Sequence, residues 1–179
     1  MNKILLTAIL VLFLTSCSTE QTNTNEPITI QQEAKTMILT SKDFENEDQI
    51  PKDFTCQGTN KNPHLKWEDA PSETKSFALI VDDPDAPTST WTHWLVYDIP
   101  ADVAQIPQNS VPGKQVTNDL GKEEYGGPCP PTGTHRYFFK LYALDIESLT
   151  DVTKDNFLEK IEKHTLAKAE LMGTYKKEK

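Results

Sequence analysis

A chain of 179 residues has room for one domain with a substantial hydrophobic core and not for two comfortable ones. Its 18 basic residues against 27 acidic ones leave a net charge of −9, which excludes the clustered Lys and Arg that hold phosphate backbones, so no nucleic-acid partner is expected. At 36% hydrophobic and 25% charged residues the composition is that of a globular domain, and Arg136 is its only arginine.

The chain opens with Met1-Asn2-Lys3, a short positive start, followed by an apolar run from Ile4 to Leu14. That run is short for a membrane crossing and of the right length for a signal-peptide core. It ends in Leu14-Thr15-Ser16-Cys17, small residues before a cysteine, which resembles the bacterial lipobox. The resemblance implies a signal peptide over residues 1–16 and diacylglycerol on Cys17. The mature protein would then be lipid-anchored to a bacterial membrane, facing the periplasm or the cell exterior. An ordinary cleaved signal peptide and a retained anchor are the alternatives. Residues 17–36 are polar, without an aromatic side chain or useful period, and read as a flexible tether.

The domain is expected over residues 37–179. Met37 to Thr40 and His64 to Trp67 are weak strand candidates. Ser76 to Val81 is a short, nearly continuous apolar run stopped by Asp82-Asp83-Pro84. His93 to Ile99 is aromatic and β-branched and ends at Pro100, and His135 to Leu144 is similar, following a Pro/Gly-rich loop. Short apolar runs bounded by Pro, Gly and Asp predict strands. From Lys154 to Tyr175 the apolar residues Phe157, Leu158, Ile161, Leu166, Ala169, Leu171 and Met172 recur at three- and four-residue steps, which predicts a helix. Thr153 or Asp155 would cap it, Gly173 would end it, and His164-Thr165 would divide it into two short helices. Cys56 and Cys129 remain once Cys17 carries lipid. Outside the cytoplasm they form a disulfide or stay as separate thiols, and spacing does not decide which.

Two stretches carry the chemistry. One is Asp83-Pro84-Asp85-Ala86-Pro87 with Trp91-Thr92-His93-Trp94 downstream; the other runs from Gly126-Gly127-Pro128-Cys129 to His135-Arg136-Tyr137. Asp83 follows one strand, while His93 and His135 begin two others. Alternation along a strand puts His135 and Tyr137 on one face and Arg136 on the other. If these strand ends meet, two imidazoles, a carboxylate and a phenol converge, with N–H groups of the glycine loop facing them. Such a cluster suits an anion, through its N–H and O–H donors. It also suits a metal, through two His and one Asp, or proton transfer. The plainer alternative is that the histidines only tie loops together. No Gly-x-Ser-x-Gly elbow or His-Glu-x-x-His helix is present, and neither Ser89 nor Thr92 has the spacing of an activated nucleophile. Accordingly, no catalytic residue, metal or cofactor is expected.

The two stretches, in this order, resemble the phosphatidylethanolamine-binding protein family, most closely its bacterial branch of Raf-kinase-inhibitor-like proteins. The likeness runs from about Ile38 to Tyr175 and includes Asp53 to Gly58, Asn62 to Trp67 and His164 to Tyr175. It implies a mainly β fold of two stacked antiparallel sheets with short C-terminal helices and a small pocket at one end. By position, the resemblance makes Asp83, His93, Gly127, His135 and Tyr137 the pocket lining, with Trp91 at its mouth. Arg136 is read as structural and Asp85 as bonding its own turn. The implied function is noncatalytic binding of a phosphate or carboxylate group by a tethered domain. The alternative is a protein-interaction module that inhibits a protease or other enzyme, with Val103 to Gly113 as its loop. Because ionised Asp83 would repel an anion, a charged histidine or a protonated carboxyl must compensate, and affinity is expected to strengthen as pH falls.

Overall fold

The computed structural model describes residues 36–179; the signal segment, Cys17 and nearly all of the tether lie outside the described residues. The described chain forms two antiparallel sheets. The smaller holds β1 (Ile38–Thr40), β2 (Leu65–Glu68) and β5 (Gln105–Ile106) in the order β1-β2-β5. The larger holds β3 (Ser76–Asp83), β4 (Trp91–Pro100), β6 (Lys114–Gln115), β7 (Thr134–Leu144) and β8 (Thr165–Lys176) in the order β6-β4-β3-β7-β8.

β3 is buried at every position because the sheet is covered on both faces. Phe77, Leu79 and Val81 join Leu39, Leu65, Trp67 and Ile106 of the small sheet in one core, with the Trp67 and Phe77 ring centroids 5.1 Å apart. Ala78 and Ile80 pack in a second core, with Phe157 and Ile161 of the helix α1 (Phe157–Glu162). A strand covered on two sides needs a continuous apolar run, and Ser76 to Val81 supplies one.

The C-terminal segment differs from its sequence reading. Only α1, six residues long, is helical; Thr165–Lys176 is β8, paired with β7 from Leu144↔Thr165 to Thr134↔Lys176. Ala169, Leu171, Gly173 and Tyr175 are buried in strict alternation, the period of a strand. Leu166 and Met172 lie on the opposite face, and these two outward apolar residues produced the three- and four-residue steps. Gly173 marks a close approach, not a helix end: a Cβ there would stand 2.5 Å from Ile50 Cγ1. The loop before Ile50 then covers the edge of β8, with Glu47 N–H donating to the Met172 carbonyl (2.7 Å) and Ile50 N–H to that of Thr174 (2.8 Å).

Val103 to Gly113 contains β5 and is held by buried Asn62. The Asn62 side chain donates to the Pro107 carbonyl (2.9 Å) and accepts from Ser110 N–H (3.0 Å). β3 ends at Asp83 beside the first residue of β4, Asp83↔Trp91, and near the start of β7, Asp82↔Phe138. Three strand ends therefore meet at one rim.

Candidate functional site

Asp83, His93, His135 and Tyr137 converge at that rim, all of them buried. Four polar side chains are costly to bury unless they are bonded, and most of their polar atoms are. Asp83 Oδ1 accepts from the Asp85 backbone N–H (2.8 Å), and Oδ2 pairs with His135 Nδ1 at 2.7 Å. His93 Nδ1 lies 2.7 Å from the Gly126 carbonyl. A carbonyl only accepts, so His93 carries its proton on Nδ1 and leaves Nε2 uncommitted. A carboxylate opposite His135 Nδ1 selects the same tautomer. The His93 and Tyr137 rings meet edge-on, centroids 5.2 Å apart.

Burial holds the His93 imidazole below its ordinary pKa, outweighing the Gly126 hydrogen bond and the nearby Asp83, Asp82 and Asp119 carboxylates. Burial first, and Asp83 second, push the Tyr137 phenol far up, so it stays a donor at any physiological pH. Asp83 and the Cys129 backbone stand close to Tyr137 Oη, but among the described residues neither meets it with hydrogen-bond geometry.

These groups line a cavity of about 370 Å³, within the range of small-ligand sites. Half-buried Trp91 and the apolar Leu120, Pro130 and Pro131 complete the lining. Leu120 went unnoticed in the sequence. It is 48% exposed and is carried by a turn built on the Asn118 side chain, which accepts from Leu120 N–H (2.9 Å) and donates to the His93 carbonyl (2.8 Å). Asn118-Asp119-Leu120-Gly121 reads as a turn, but nothing local says which surface it folds over.

Gly127 lines the cavity, yet its N–H donates to Asn60 Oδ1 (2.8 Å) and that of Gly126 to the His93 carbonyl (3.1 Å). Both glycine amides are engaged inside the protein, which corrects the expectation that they face the site. Gly127 is glycine for space: a Cβ would come within 2.5 Å of the Phe54 carbonyl oxygen. The loop is further held by the Cys56–Cys129 disulfide, whose Cα atoms are 5.4 Å apart, and by the Tyr125 hydroxyl donating to Phe54 O (2.9 Å).

Arg136 points away from the cavity, as alternation predicts. It grips Asp85 with Nε to Oδ2 (2.9 Å) and Nη2 to Oδ1 (2.7 Å), and its backbone N–H also donates to Oδ2. Asp85 therefore bonds β7 and not its own turn, and the guanidinium lowers its carboxyl to about 2. The pair holds the end of β3 against the start of β7. Among the described residues no group of three His, Cys, Asp or Glu side chains is placed to hold a metal ion.

Comparison with known proteins agrees with this architecture. The family model described as phosphatidylethanolamine-binding protein matches residues 40–176. A UPF0098 protein of Aquifex aeolicus is 46% identical over 153 residues, spanning 79% of this chain and 90% of the relative. One from Methanothermobacter thermautotrophicus is 43% identical over 153 residues, 79% of this chain and 99% of its own length. Among solved structures, a phosphatidylethanolamine-binding protein homologue from Chlamydia trachomatis superposes with a TM-score of 0.75 at 41% identity, covering 80% of this chain and 99% of that one. Escherichia coli YbcL, described as a new member of the mammalian family, also gives 0.75, at 32% identity, covering 80% of this chain and all of its own. The chain belongs to the phosphatidylethanolamine-binding protein family.

Proposed function

We propose that this domain is a noncatalytic binding protein that captures a small anionic group, phosphate-like or carboxylate, in the cavity at the rim of the large sheet. We further propose that lipid on Cys17 tethers it to a bacterial membrane from the outside of the cytoplasm. The observation that carries the binding reading is the Tyr137 hydroxyl, buried on the cavity wall without a protein partner. A buried donor left unbonded costs about 1–3 kcal/mol, and a ligand oxygen accepting from it removes that cost. The His93 and His135 Nε2 atoms have no protein partner among the described residues, their Nδ1 atoms being engaged. Protonation of His93 turns its Nε2 from acceptor to donor and adds a charge that offsets Asp83.

The test is calorimetric titration of the full-length protein with phosphate, acetate and phosphoethanolamine. Saturable binding is expected, weakened about tenfold or more in His135→Ala, the loss of a charge-assisted hydrogen bond. No binding of any of the three, or undiminished binding by His135→Ala, would overturn the reading.

A further inference from the structure

A second cavity, about 380 Å³, shares no lining residue with the first. It lies between the segments around Asn60 and Ser110, with Gln115, Glu124 and Tyr125 completing the wall. Two carboxamides in this wall have their orientation decided by their partners. Asn60 Oδ1 accepts from the Gly127 N–H at 2.8 Å, and Gln115 Oε1 accepts from the Trp94 indole N–H at 2.6 Å. A backbone amide and an indole nitrogen only donate, so the oxygens of both side chains must face inward. Both NH2 groups are left as donors without a protein partner among the described residues, Asn60 exposed at the open side and Gln115 half-buried.

The rest of the wall is fixed without offering much itself. The Asn62 side chain is engaged with Pro63, Pro107 and Ser110. The Tyr125 hydroxyl is engaged with Phe54, and the residue is almost wholly buried behind the wall, its ring edge-on to Trp94. Thr59 and Ser110 add hydroxyls. The charges nearly cancel: the Lys61 ammonium, 5.6 Å from the Phe54 ring centroid, shares the wall with Glu124, which pairs with Lys122. A lining of amide donors and hydroxyls, with little net charge, does not suit a phosphate. It suits a neutral polyhydroxylated molecule, whose oxygens accept from the amides and whose hydroxyls donate to the Thr59 and Ser110 oxygens. The volume is that of a small-ligand site and admits a sugar.

We propose that this cavity is a saccharide site, separate from the anion pocket, in which the Asn60 and Gln115 NH2 groups donate to hydroxyl or acetamido oxygens of a neutral sugar. The inference does not depend on what occupies the first cavity. It is tested by titrating the 15N-labelled full-length protein with N-acetylglucosamine, with glucose and with inorganic phosphate, following the side-chain NH2 resonances of Asn60 and Gln115. Saturable shifts of both are expected with at least one of the sugars. Asn60→Asp and Gln115→Glu each keep the inward-facing acceptor and replace NH2 by an oxygen. The Trp94 indole resonance, still bonded in both, reports that the fold is retained. Each variant should weaken sugar binding about tenfold or more, the loss expected for one hydrogen bond inverted to repulsion. The proposal fails if neither sugar moves these resonances, if phosphate moves them and sugars do not, or if both variants bind like the wild type.

Discussion

Tyr137 has two roles that oppose each other. Its ring is core, fully buried against His93, whereas its hydroxyl is a buried donor with no protein acceptor. Removing only the hydroxyl separates the two. Tyr137→Phe should leave stability unchanged or raise it by about 1 kcal/mol in urea melts, while anion affinity falls about tenfold. Lost stability with unaltered affinity would make the residue structural only. His93 adds a pH dependence. Its folded pKa lies below the ordinary 6.5, so between the two values the unfolded chain binds more protons than the native one. Its contribution to stability is therefore complete above about pH 6.5 and declines as pH falls toward the lowered folded value. A bound anion favours the protonated ring and reverses that loss. The stabilisation by sulfate, whose charge is constant in this range, should thus be larger at about pH 5.5 than at about pH 7.5 in parallel urea melts. Equal stabilisation at both would remove the histidines from the account. Asp83, His93, His135 and Tyr137 were legible in the chain because each sits in a motif at a strand end. The partners of the Gly126 and Gly127 amides were not, since Asn60 is distant in sequence and nothing local predicts that it reaches Gly127.

The strands that were readable are those carried by a compact apolar or aromatic run. β3, β4 and β7 all follow from apolar runs bounded by Pro, Gly or Asp. β8 was misread, because its buried face is made of small or isolated residues, Ala169, Leu171, Gly173 and Tyr175, while Leu166 and Met172 add apolar positions on the other face. The two-residue β5 and β6 are too short to carry any period. Gly173→Ala tests the close packing of β8. In β8 it forces a Cβ to within 2.5 Å of Ile50 Cγ1 and 2.9 Å of Phe44 Cε2, so a loss of about 1–3 kcal/mol is expected in chemical denaturation.

At the scale of the whole molecule, the central position of β3 makes the site. Its C-terminal end lies between the first residues of β4 and β7, so Asp83, His93 and His135 meet although up to 52 residues separate the bonded pair. The Cys56–Cys129 bridge, spanning 73 residues, then fastens the loop that closes the cavity. The proposed membrane tether rests on Cys17, near the start of the chain. Cys17 is expected to carry diacylglycerol, visible as the added mass on the N-terminal peptide of protein purified from membranes. Cys17→Ser should shift the protein out of the lipid-modified fraction; unmodified Cys17 in the wild type would leave only a cleaved or retained signal segment.

The sequence by itself determined the family, the mainly β class and the strand-end motifs that line the cavity, because those depend on residues adjacent in the chain and on hydropathy of short period. The tertiary structure alone decided that the last segment is an edge strand, that the two cysteines are bonded, that Leu120 lines the cavity and that the glycine amides turn inward. Each of those depends on which distant backbone comes within hydrogen-bond or van der Waals reach, and a single chain read in order holds no measure of that distance.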